Sequence, residues 1–201
     1  MKINHALNLV VLTESDDGAP VYIHSTPLSK DIFRQHFLIL GRLYGEFFSS
    51  GLGLLASSRT AYLLLEKLAK DAGEWDGKDG VQNTLVTHII NGSTAIYAAE
   101  NGGWQSLPMA EAVSRGVVDL SEVMDELVFF ICVCGMTKRN QMSEIVQGTA
   151  AVWGSLATSL SYTDYMNSLK TLQKAETIDL IAAESAQEVV PNGQEALSIP
   201  S

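Results

Sequence analysis

The stretch "LVFFICVCGM" at 127–136 sets the tightest limit on what this chain can fold into, because ten successive residues carry no charge. A bilayer span needs about 20 apolar residues. This run is half as long and is bounded by Asp125 and Glu126 before it and by Lys138 and Arg139 after it. It therefore reads as the middle of a core, and it implies no membrane partner. Asp119, Leu120, Ser121 and Glu122 have the form of a helix start, with a capping acid and a second acid three residues on. Lys138 and Arg139 suit the negative end of a helix dipole, and Asn140 suits its terminus. The reading is one helix over 119–140, apolar nearly all round and so buried on every side. Cys132 and Cys134 are the only cysteines. Two residues apart on a helix they point about 200° from each other, which prevents them from sharing a metal ion. They are expected to be free, buried thiols acting as small core hydrophobes. Phe129, Phe130 and Ile131 should share that core with Phe37, Leu64 and Trp153.

Elsewhere helical spacing dominates. Near the start, "ALNLVVLT" and "PVYIHST" alternate and are rich in β-branched residues, with turn chemistry at 14–18 between them. They predict a β-hairpin over about 6–13 and 20–25. An isolated hairpin is barely stable, so it must lie on helices or join strands of another subunit. Thr26 and Pro27 read as the cap and first residue of a long helix with a stripe of Phe33, Phe37, Leu40, Tyr44 and Phe47. A further helix is capped by Ser57 or Ser58, turns Leu64, Leu65 and Leu68 inward and stops at Gly73. The segment 81–103 carries Leu85, Ile89, Ile90 and Tyr97 at helical spacing, with Gly92 as a weak point. A loop from Trp104 then leads into a short helix opened by Pro108 and closed by Gly116, and 141–161 and 162–172 read as helical. The predicted fold class is mainly α: a helical domain over 1–172 with a small N-terminal β-hairpin. Residues 173–201, which hold one Lys, five acids and no aromatic residue, are expected to be a flexible acidic tail.

Charge and motifs exclude several classes of function. The 23 acidic and 13 basic residues give a formal net charge of −10. Such a surface repels phosphate backbones, and no basic cluster with interleaved aromatics opposes it, so nucleic acid is not an expected partner. The first 18 residues lack a signal region, which leaves a cytoplasmic location as the expectation. His5, His24, His36 and His88 fall in separate segments without ligand spacing. "GLGLLASSRT" lacks the G-K-[ST] ending of a phosphate loop. There is no G-x-S-x-G, and the acid pairs Asp16–Asp17, Asp76/Asp79 and Asp125–Glu126 read as turn acids or helix-start acids. No catalytic residue, metal ligand or cofactor is expected, and the chain is expected not to be an enzyme.

Four stretches, "VYIHSTPLS" ahead of a phenylalanine-rich helix, "GWQSLPMAEAVSRGVVD", "MTKRN" and "AAVWGSLATSLSYTDYMNSLKT", resemble the tail assembly chaperones of long-tailed bacteriophages. The resemblance runs from about residue 6 to residue 173. It implies a non-catalytic helical protein that coats the hydrophobic tape measure protein before tail tube subunits polymerise around it. The implied partners are the tape measure protein, the tail tube protein and further copies of the chain. The implied location is the host cytoplasm, with absence from the mature virion. The contacts expected on this reading are Tyr44, Phe47 and Phe48 on the first long helix, whose competing role at that spacing is intramolecular core. A structural virion protein, such as a connector or head–tail completion component, is the alternative.

Overall fold

The structure, a computed structural model, describes residues 7–15, 17–49, 53–99 and 102–171; the expected tail at 173–201 lies outside them. Its frame is a five-stranded antiparallel sheet with helices on both faces. Strands β1 (Asn8–Glu14) and β2 (Pro20–Ser25) form the hairpin read from the sequence, in a register that runs from Leu9 opposite Ser25 to Glu14 opposite Pro20. Gly18 adopts φ +78° in the turn, a backbone region costly to residues with a β carbon. The hairpin finds its missing partners within its own chain. β3 (Ser93–Ala98) pairs with β2, β4 (Trp104–Pro108) pairs with β3, and the short β5 (Leu156–Thr158) pairs with β1, giving the order β4-β3-β2-β1-β5.

Between β2 and β3 the described residues form six helical segments: α1 (Lys30–Gln35), α2 (Phe37–Ser49), α3 (Gly53–Ser58), α4 (Ala61–Asp71), and a π-helical turn (Gln82–Val86) that runs into α5 (Thr87–Asn91). After β4 come α6 (Met109–Ser114), α7 (Leu120–Met136) and α8 (Arg139–Val152), and beyond β5 the chain is helical again over 162–171, here α9. α7 is the centre. Every residue from Leu127 to Val133 is buried, because β1 lies on one side of the helix and α2, α4 and α8 surround the rest.

The alternation of the strands divides the core in two. Leu9, Val11, Val21, Ile23 and Ala95 point to the α7 side and join the large cluster that contains Leu40, Leu65, Leu85, Ile89, Phe129 and Phe130. Val10 and Ile96 point the other way, where Tyr165 and Leu169 of α9 cover them. Ser93 Oγ donates to the Ile89 carbonyl at 2.9 Å and lies 3.0 Å from Ser25 Oγ, so the start of β3 has buried polar partners.

Several sequence expectations change. The fold is mixed α/β, with a sheet of five strands in place of a small hairpin. The expected helix over 81–103 stops at Asn91, and Ser93–Ala98 continues as a strand. "STAIYA" holds the β-branched Thr94 and Ile96, and pairing with β2 outweighs its weaker helical spacing. The expected loop from Trp104 is strand β4. Helix α7 ends at Met136 with Thr137 as its cap, whereas Lys138 and Arg139 open α8. Ser29, not Thr26, caps the phenylalanine-rich helix, by accepting from Ile32 N at 3.4 Å. Thr60, not Ser57 or Ser58, occupies the cap position of α4, and Gly73 follows its end at φ +71°. Cys132 is buried, and Cys134 half-buried; both are free. Phe129, Phe130 and Ile131 are core residues; Leu64 and Trp153 are half-buried and Phe37 is exposed.

Candidate partner-binding surface

The long helix expected from the sequence bends at His36 (φ −105°, ψ 15°), which separates α1 from α2. One side of α2 is plainly core: Ile39, Leu40, Leu43 and Phe47 are buried. The Phe47 ring lies 5.0 Å from that of Phe129, and Cys132 Sγ donates to the Leu40 carbonyl at 3.4 Å. This side docks α2 on α4 and α7.

The opposite side should be polar in a helix that faces water. It is not. Phe37 is 49% exposed, Leu38 72% and Phe48 55%, and between them at one-turn spacing stand Gly41 and Gly45. At 100° per residue, Leu38, Gly41, Gly45 and Phe48 fall on a single outward row. Aromatic pairs flank it. Phe33 meets Phe37 edge-on at 5.9 Å, and the Tyr44 ring lies 5.0 Å from that of Phe48, tilted by 59°. Phe33 itself is held by Gly135 of α7, where a β carbon would run into its ring. Exposed Arg42 and half-buried Glu46, one turn apart, line one flank.

The three residues expected to contact a partner thus divide. Phe48 is presented, Tyr44 is half-buried behind it, and Phe47, fully buried, belongs to the core and offers no partner a surface. Helical spacing alone places Phe37 in the core and passes over Leu38, Gly41 and Gly45. The signal that could have found them is "GRLYG": two glycines one turn apart, on the side away from Leu40, Leu43 and Phe47.

One polar cluster elsewhere could have been a site. Asp125 accepts from the Tyr62 N–H at 2.7 Å and so caps α4 from a distant helix. Glu126 accepts from Ser155 Oγ. Arg59 lies 4.0 Å over the Trp153 ring, and Trp153 Nε1 donates to Ser58 Oγ at 2.7 Å. Burial raises the carboxyl pKa of both acids, against the hydrogen bonds and the Arg59 charge that lower it. The adjoining cavity, lined by Leu9, Glu126, Phe130 and Trp153, holds about 10 Å³, room for one water at most. With these contacts made and no space in that cavity for a substrate, the cluster ties α7 to the end of α3, the start of α4 and the connection between α8 and β5. Among the described residues, no three His, Cys, Asp or Glu side chains are grouped to hold a metal, and no helix is long and apolar enough to cross a membrane. Compared with known proteins, the chain matches no family model, no curated protein and no solved structure.

Proposed function

We propose that the chain is a non-catalytic tail assembly chaperone of a long-tailed bacteriophage, which holds the hydrophobic helical tape measure protein in the host cytoplasm until the tail tube forms. The observation that carries this reading is the outward row of α2, where Phe37, Leu38 and Phe48 remain largely exposed and, among the described residues, are not covered by another element. An apolar helix laid along such a row buries its own stripe against aromatic anchors, the usual way a groove or helix face takes an amphipathic helix. Each large side chain fully buried in this way contributes about 1.5–3 kcal/mol. The four stretches that resemble these chaperones supply the identity of the client, and the net charge of −10 supports solubility of a complex with a sticky partner. Tyr44 and Phe48 keep the role expected of them, joined by Phe37 and Leu38.

Co-expression tests the reading. The tape measure protein should be insoluble alone and soluble beside this chain, and Leu38→Asp with Phe48→Asp should abolish that rescue while the variant stays folded. A tape measure that remains insoluble beside the wild-type chain, with this chain recovered from purified particles, would establish a structural virion role instead.

A further inference from the structure

We propose that a second copy of this chain packs against the same row, the two α2 helices running antiparallel and crossing at Gly41 and Gly45. This does not rest on the chaperone reading; a client helix and the second copy would compete for the row, and the weak dimer would give way to the client. The glycines carry the argument. In the middle of a helix each costs about 0.5–1 kcal/mol relative to alanine, and no contact among the described residues requires either. Among the described residues, a β carbon at Gly45 would meet nothing within 4 Å, and one at Gly41 would make only an ordinary contact with the Met136 methyl at 3.7 Å. Two bare turns on an outward face, bracketed by exposed Phe37, Leu38 and Phe48, permit the backbone of another helix to approach at the short end of the usual 8–10 Å.

Charge selects the occupant and its direction. Arg42 and Glu46 lie on the same flank of the row and, among the described ion pairs, neither takes part. In a pair related by a two-fold axis, a surface meets itself. The antiparallel arrangement brings this flank against its own copy, so Arg42 faces Glu46 of the partner subunit at two symmetric places. The same arrangement centres the crossing between the glycines and sets Leu38 against Phe48 of the partner subunit. A parallel pair would instead turn Arg42 toward the opposite flank, where Phe37 and Tyr44 stand. One helix pair is a small interface, at the weak end of specific association, so dimerisation is expected in the micromolar range.

Sedimentation velocity on the full-length protein, over a concentration series through the micromolar range, is the test. The wild type should pass reversibly from monomer to dimer. Gly45→Leu adds its side chain where the chain has open space; it should remain monomeric throughout while its dilute unfolding temperature is unchanged or higher. Arg42→Glu should weaken the dimer at least about tenfold by turning two attractions into repulsions, and Arg42→Glu combined with Glu46→Arg should restore it. A wild type that stays monomeric, a Gly45→Leu protein that dimerises as tightly as the wild type, or a charge exchange without recovery would each overturn the proposal.

Discussion

Glu126 shows how a side chain's environment can reverse the role its sequence position suggests. At the start of a buried helix, Asp125 and Glu126 read as acids that favour the helix dipole. In the fold they are instead partners of Tyr62 and Ser155, side by side near Arg59. Desolvation is the largest influence on each and raises both pKa values in the folded state. A carboxyl whose folded pKa lies above its unfolded value binds its proton more tightly when folded, so its contribution to stability falls as pH rises from the unfolded to the folded pKa. For Glu126 that window opens near the ordinary value of 4.5 and extends upward. Glu126→Gln keeps an acceptor for Ser155 and has no charge to desolvate. Its stability relative to the wild type should therefore be level in acid and improve toward neutral pH, as read from urea midpoints across the pH range. A difference that stays flat, or that runs the other way, would show that Arg59 and Ser155 outweigh the burial. Cys132 was legible as a buried thiol because its immediate neighbours are apolar, whereas Cys134, expected to be buried too, is half-buried; burial pushes the Cys134 thiol up to about 12 and that of Cys132 higher still. Glu126 was not legible, because its hydrogen-bond partner is 29 residues further along the chain.

Elements were readable where their signal is local. The β1–β2 hairpin alternates within each strand and turns on Gly18, and α7 is apolar on every face, so both can be read from a window of a few residues. The other strands have no such signal. β3 is six residues long and gains its pairing from β2, about 70 residues earlier. β4 is an edge strand with no buried residue, and β5 has three residues. A short edge strand needs no clean alternation when neither of its faces is fully buried, as in β4 and β5. This is why a five-stranded sheet reads in sequence as a lone hairpin. The same locality explains the division of α2: spacing identifies a stripe, but only the packing of α7 decides that Phe47 is inside and Phe37 outside. Phe130 tests the central element. It is 1% exposed in the large core cluster between the sheet and the other helices, and truncating a buried phenylalanine typically costs about 3–5 kcal/mol. Phe130→Ala should lower the urea midpoint by a corresponding amount with little change in slope. An unchanged midpoint would mean that α7 is not the element on which both layers are built.

At the scale of the molecule, α9 closes the structure. The sheet has an apolar second face, with Val10, Ile96, Tyr22 and Trp104, and α9 lays Tyr165 and Leu169 over it. The turn that leads into α9 is fixed from the same side. The Leu160 carbonyl accepts from Asn8 Nδ2 at 2.8 Å and from His24 Nε2 at 2.9 Å. His24 is buried there, and its pKa is lowered below the ordinary 6.5 because desolvation outweighs that hydrogen bond. Two shortened chains isolate the contribution of α9 from that of the residues beyond it. A chain that ends at residue 171 keeps both core clusters and should unfold in one cooperative transition at nearly the full-length midpoint. A chain that ends at residue 159 loses the Leu160 carbonyl and the cover on Val10 and Ile96. Tyr165 and Leu169 alone represent about 3–6 kcal/mol of burial, a large share of the 5–15 kcal/mol that holds a typical domain together. It should therefore be largely unfolded or associate through its bare sheet. In whatever folded fraction remains, NMR titration should find His24 returned toward the ordinary histidine range. A 159-residue chain as stable as the full-length protein would show that the second face needs no cover, and a 171-residue chain that fails to fold would place part of the stabilising core beyond α9.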